Sequence, residues 1–168
     1  MERGKFTKDE VVGVVFSKLR PDRDWVVADI GSGSGRVAEF LSEYVRLVYA
    51  VELDPNLSES LRQKFAGSNV EVVNSHGYDF LVDHEVDAVF FGGTKGIERM
   101  LEVCRAKRVV VNCARMDVAV AVVRKMKELG IFREVVMVSA SHGYELAGGI
   151  AFRAINPVFV VVGDALRS

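Results

Sequence analysis

The chain has 168 residues, 49% of them hydrophobic and 27% charged, with 22 Lys and Arg against 23 Asp and Glu for a formal net charge of -1. That length suits one domain over residues 1–168, and the apolar content excludes a disordered or collagen-like chain. Near-neutral charge provides no overall pull toward nucleic acid or a membrane surface.

Thr7-Lys8-Asp9-Glu10 has capping-box spacing, so a helix is expected to begin there and to carry Val11, Val12, Val15, Phe16 and Leu19 to a stop at Pro21. Trp25 to Ile30 reads as a β-branched strand that runs into Gly31-Ser32-Gly33-Ser34-Gly35. Val37, Phe40, Leu41, Tyr44 and Val45 then return to helical spacing. Leu47 to Glu52 is a second strand, and Asp54-Pro55 can cap a helix bearing Leu57, Leu61 and Phe65. Further strands are expected at Val70 to Asn74, Ala88 to Phe91 and Arg108 to Asn112, with helices around Ile97 to Cys104 and from Met116 to Leu129, stopped by Gly130. The tail offers two strands, about Arg133 to Ala140 and Ile150 to Val162, with no helical pattern between them. They are expected to pair as an antiparallel hairpin. The fold class is α/β, doubly wound, with a mostly parallel seven-stranded sheet whose last strand is antiparallel.

No segment has the pattern of a signal peptide or the length of a bilayer span. Cys104 and Cys113 are too few for a disulfide scaffold and lack zinc-site spacing, and His84 and His142 have no partner at ligand spacing. A reducing, cytoplasmic setting and no protein-held metal are expected, with both cysteines as small buried hydrophobes.

The alternating glycines after the first strand allow a tight turn that brings backbone against a ligand without side-chain interference. Asp29 precedes the turn and Glu52 ends the next strand, where a carboxylate can accept bonds from ribose hydroxyls, so the two frame an adenosine pocket. The dinucleotide fingerprint places its third glycine where Arg36 stands, and Gly35-Arg36-Val37 lacks the Lys and Ser or Thr of a P-loop. NAD and P-loop binding of ATP are therefore disfavoured. An acidic residue beside the turn suits a ligand carrying ammonium and sulfonium groups and repels a pyrophosphate.

Asp29 to Gly35, with Glu52 ending the second strand, resembles the first two motifs of Rossmann-like S-adenosylmethionine-dependent methyltransferases. Adding Phe6-Thr7-Lys8-Asp9-Glu10, Val89 to Gly96, Val110-Val111-Asn112 and Asn156-Pro157-Val158-Phe159, nearly the whole chain resembles the decarboxylating cobalt-precorrin carbon-15 methyltransferases of cobalamin biosynthesis. The resemblance implies methylation of a cobalt-precorrin at ring carbon 15 and decarboxylation of the acetate on carbon 12, in the anaerobic pathway. It also implies S-adenosylmethionine as cofactor, a polycarboxylate tetrapyrrole as substrate, no nucleic-acid or membrane partner, and a homo-oligomer, a homotetramer.

The cofactor-binding residues so implied are Thr7, Asp29, Gly31, Ser32, Gly33, Gly35, Glu52, His76 and Gly77, with His76 replacing the Asp often found there. On the substrate side stand Gly92, Gly93, Thr94, Asn112 and Arg115, the glycines with backbone N–H groups expected free to hold a carboxylate. Lys95, Arg99, Arg115 and Arg153 are candidates for pairing with substrate carboxylates, Arg115 first because it follows the fifth strand. The catalytic residues are not assigned. Two other readings of the same fold are a tRNA or rRNA methyltransferase, which would carry a basic face, and a non-catalytic cofactor-binding protein.

Overall fold

The computed structural model describes residues 8–165. In chain order these form α1 (Asp9–Leu19), β1 (Val26–Ile30), α2 (Arg36–Ser42), β2 (Leu47–Glu52), α3 (Pro55–Lys64), β3 (Val70–Asn74), α4 (Gly77–Asp83) and β4 (Ala88–Phe91). There follow α5 (Ile97–Val103), β5 (Arg108–Cys113), α6 (Met116–Glu128), β6 (Phe132–Val138), β7 (Ser141–Leu146), β8 (Gly149–Ala154) and β9 (Val158–Asp164).

Seven strands make one sheet in the order β3-β2-β1-β4-β5-β9-β6. The β1 to β5 pairings are parallel, and β9 runs antiparallel to both β5 and β6. The doubly wound, mostly parallel sheet expected from the sequence is therefore present. Burial on both faces explains its unbroken apolar strands, since Ala88–Phe91 and Val160, Val161 and Val162 of β9 are all buried. One face is covered by α1, α2 and α3 through Val15, Leu19, Leu41 and Leu61, the other by α4, α5 and α6 through Phe80, Leu101 and Met126. Winding reverses between β1 and β4, and the carboxyl ends of strands beside such a switch point leave a crevice for ligands.

The start of α1 differs in detail from the capping-box reading. Its N-cap is Lys8, which makes no side-chain cap bond, while Thr7 lies outside the described residues. One element was not foreseen and one expectation is corrected. The stretch between β3 and β4 contains α4, a helix of seven residues that is too short to show helical periodicity. The tail contains four strands where two were expected: β6 and β9 do pair antiparallel, but a second hairpin, β7 with β8, is inserted between them. The single strand expected over Ile150 to Val162 is broken at Ile155-Asn156-Pro157, because proline has no N–H for a ladder. The inserted hairpin turns through Ala147 and Gly148, both at positive φ (50° and 80°), as a two-residue turn matched to strand twist requires.

Candidate active site

The glycine loop after β1 is tied to β2 and α2 by a short chain of polar contacts. Gly31 and Ser32 N–H both donate to the Val51 carbonyl, at 2.9 and 3.1 Å. Beneath the loop, Asp29 Oδ2 accepts from Ser32 Oγ at 2.8 Å and from the Ala38 N–H at 3.1 Å. Asp29 is only 1% exposed, and burial pushes its carboxyl up to about 7, with its hydrogen bonds from Ser32 and Ala38 acting in the opposite direction. Its Oδ1 is buried without a hydrogen-bond partner.

Glu52 is fixed from two sides. Its Oε2 accepts the Gly33 N–H at 2.8 Å and its Oε1 accepts the Asp54 N–H at 3.0 Å, while Asp54 itself caps α3. Each carboxylate oxygen keeps a lone pair beyond these bonds, so Glu52 can still accept from a ligand hydroxyl.

The loops after β1 and β4 meet closely. Gly31 has φ +76°, and a Cβ there would stand 2.9 Å from the Gly93 nitrogen, so any side chain would force the two backbones apart. Gly92 N–H donates to the Ile30 carbonyl at 2.9 Å and Gly93 N–H reaches the same oxygen at 3.4 Å. The N–H groups expected to be free for a carboxylate are thus already engaged within the sheet edge. Across the crevice, a Cβ on Gly77 would lie 2.5 Å from Ile30 Cγ2 and 2.7 Å from Met100 Sδ, which lets α4 start directly against the end of β1.

Two cavities open along this edge. One, of about 340 Å³, has Ile30, Val51, Leu53 and Met100 as apolar walls. Ser75, His76, Gly77 and Tyr78 from the start of α4, and Lys95, Gly96 and Arg99 from the segment after β4, complete its border. The second, of about 320 Å³, lies over Ser32, Gly33 and Ser34 and reaches Arg36, Asp54, Leu57 and Gly92. Both are lined by Gly31, Glu52 and Gly93, so they form one crevice with Glu52 at its joint.

Of the residues singled out in the sequence, Gly31, Ser32, Gly33, Glu52, His76, Gly77, Gly92 and Gly93 line this crevice. Asp29 underlies it, Gly35 is the left-handed N-cap of α2 packed against Leu61 and Phe65, and Thr94 is next to the lining Gly93 and Lys95. Asn112 and Arg115 line neither cavity. Arg115 is exposed and ion-paired with Asp117, and Asn112 keeps a buried Oδ1 without a partner. The apolar walls and Tyr78 were not foreseen, because in the sequence they look like any core position. Burial pushes both thiols, Cys104 and Cys113, up to about 11, away from nucleophilic chemistry. No group of three or more His, Cys, Asp or Glu among the described residues could hold a metal ion, and no helix among them is long and apolar enough to cross a membrane.

The family model described as the precorrin methyltransferase domain matches residues 1–163. The chain belongs to the precorrin methyltransferase family. A relative from Archaeoglobus fulgidus named a probable cobalt-precorrin-6B C(15)-methyltransferase (decarboxylating) is 56% identical over 162 residues, covering 96% of this chain and 98% of its own. The crystal structure of a precorrin-6Y C5,15-methyltransferase from Geobacter metallireducens superposes with a TM-score of 0.87 at 27% identity, over 98% of this chain and 93% of that one. A SAM-dependent O-methyltransferase from Thermotoga maritima shares the fold, with a TM-score of 0.78 at 16% identity over 100% of this chain and 69% of that one. This precorrin methyltransferase therefore has the fold of the S-adenosylmethionine-dependent enzymes. Its crevice fits such a cofactor in kind: an apolar slot for a flat ring, a fixed carboxylate for a diol, and a glycine-rich loop alongside.

Proposed function

We propose that this precorrin methyltransferase uses S-adenosylmethionine to methylate a cobalt-precorrin at ring carbon 15, with loss of the carboxyl group of the acetate on carbon 12, in anaerobic cobalamin biosynthesis. The observation that carries this reading is the 56% identity to a relative bearing that name, spread over 96% of the chain and so including every element of the crevice.

In this reading Glu52 accepts from the ribose hydroxyls at the joint of the two cavities, with its direction set by Gly33 and Asp54. The slot between Ile30, Val51, Leu53 and Met100 takes the adenine beside His76 and Gly77, and Gly31, Ser32 and Gly33 belong to the methionine side. Asp29 acts from beneath, by holding Ser32 and the start of α2. On the substrate side, Gly92, Gly93 and Thr94 form the floor. Asn112 follows Val111, the register partner of Phe91, and so stands level with Gly92 with an acceptor to offer.

When bound, the cofactor supplies a methyl group on a sulfonium, whose sulfur keeps the electron pair of the broken bond. The ring carbon provides the pair for the new carbon–carbon bond, so the chain's part is alignment and exclusion of water, and alignment can contribute roughly 7–11 kcal/mol of barrier reduction. Departure of carbon dioxide leaves its bonding pair on the acetate methylene carbon, which a proton then caps to give a methyl group.

The reading carries with it a cytoplasmic homotetramer. Support comes from the β7–β8 hairpin, which exposes Leu146, Ile150 and Phe152 at 57%, 68% and 71% although an isolated two-stranded hairpin is marginal in water. Phe152→Asp should shift the sedimenting species toward the monomer, and an unchanged assembly would place the contacts elsewhere. The function is tested by anaerobic incubation with S-adenosylmethionine and cobalt-precorrin-6B. Gain of one methyl and loss of one carbon dioxide in the product mass is expected, and unchanged substrate in the presence of calorimetrically bound cofactor would overturn the proposal.

A further inference from the structure

The structure separates the four candidate cations, of which the sequence reading put Arg115 first. Arg115 is ion-paired with Asp117 and away from the crevice, and Arg153 lies on the exposed hairpin with its guanidinium 5.0 Å from the centroid of the Tyr144 ring. Lys95 and Arg99 instead line the larger cavity, side by side on the segment that leaves β4. Neither takes part in any ion pair found among the described residues. The acid one turn on from Arg99, Glu102, is engaged by Lys125 at 2.8 Å.

Arg99 is also held in place. Its guanidinium carbon sits 5.0 Å from the centroid of the Tyr78 ring, and Tyr78 borders the same cavity. A guanidinium over an aromatic face is attracted by the ring and keeps N–H donors that can grip a carboxylate with two parallel bonds. Lys95 adds a mobile point charge on the same wall. Two cations with no ion pair found among the described residues, on the wall of the slot that takes the adenine, suit an anionic group of a second ligand alongside it.

We propose that Lys95 and Arg99 are the carboxylate-recognition residues of this enzyme, pairing with acetate or propionate groups on the rim of the tetrapyrrole and so selecting a polyanionic ring. The assignment rests on the function proposed above. It makes Arg99 the fixed, bidentate contact and Lys95 the long-range one.

The test compares the wild type with Lys95→Gln, Arg99→Gln, Arg99→Lys and the double Gln variant, all measured with cobalt-precorrin-6B. The double variant should raise KM for the precorrin ~tenfold, with kcat and the Kd for S-adenosylmethionine within about twofold, and should flatten the rise of KM with salt. Arg99→Lys should recover only part of the loss, since it restores charge without the fork. Unchanged KM and salt dependence, or a loss of cofactor affinity as large as the loss of precorrin affinity, would overturn the assignment. Binding of cobyrinic acid, a corrinoid polycarboxylate, and of its neutral methyl ester provides a readout without turnover. A wild type that binds neither compound overturns the functional reading itself. A wild type and double variant that bind the acid equally well overturn the carboxylate assignment alone.

Discussion

The loops that follow β1 and β4 touch at Gly31 and Gly93, yet they are held in different ways. After β1, nearly every polar group is committed: Asp29 to Ser32 and Ala38, Gly31 and Ser32 to Val51, Gly33 to Glu52. After β4, only the first two N–H groups are tied down, both to Ile30, and the segment then presents Lys95 and Arg99 with no ion pair found for either among the described residues. One side of the crevice is organised before any ligand arrives, and the other has charges that a ligand completes. A nucleoside met by fixed carboxylate and backbone needs the first arrangement, while a flexible rim of carboxylates is served by the second.

The sharpest way to break this contrast is to separate the loops. Gly31→Val adds a β-branched side chain at φ +76° against the Gly93 backbone and should cost roughly 3 kcal/mol or more, with cofactor binding lost. A normal thermal midpoint together with normal cofactor affinity would show that the loops do not meet. Next comes the buried acid. Asp29 has an ordinary value of 3.8 and a folded value of about 7. Between these pH values the unfolded chain has released a proton that the folded chain keeps, so stability falls as pH rises from about 4 to about 7 and then levels off. Asp29→Asn can still accept from Ser32 and Ala38 without this penalty. Its urea midpoint should match the wild type near pH 4 and exceed it increasingly toward pH 8, and parallel curves would contradict the assignment.

Glu52→Ala leaves the Gly33 and Asp54 N–H groups without their acceptor and removes the diol contact. Calorimetry should show S-adenosylmethionine affinity down by ~30-fold, about 2 kcal/mol, with the precorrin side unaffected. Retained affinity would move the ribose away from this carboxylate. The smallest expected effect is the ~tenfold rise in precorrin KM on neutralising Lys95 and Arg99, which completes the double dissociation between the two sides.

How much of this was legible in the sequence follows from the range of the interactions. The run Asp29 to Gly35 and the Glu52 strand end are local patterns, so the fold and the position of the crevice could be read directly. Tail topology could not. The apolar residues of β8 and β9 form one continuous-looking stretch, and only Asn156-Pro157 marks the break. Seven-residue α4 is likewise below the length at which periodicity speaks. The roles of the candidate cations were the least legible: chain position favoured Arg115, whereas tertiary structure pairs Arg115 with Asp117 and sets Arg99 over the Tyr78 ring beside the cavity. Backbone groups were misjudged for the same reason: that the Ile30 carbonyl takes both Gly92 and Gly93 N–H is a fact of strand placement.

The central claim is that this enzyme both methylates ring carbon 15 and removes the carboxyl group of the acetate on carbon 12 of the same tetrapyrrole. It is tested most directly by NMR of the product formed anaerobically from cobalt-precorrin-6B and S-adenosylmethionine labelled with carbon-13 in the methyl group. The account predicts the label on ring carbon 15 and a methyl group in place of the acetate on carbon 12. Label at any other position, or an intact acetate beside a labelled carbon 15, would contradict it.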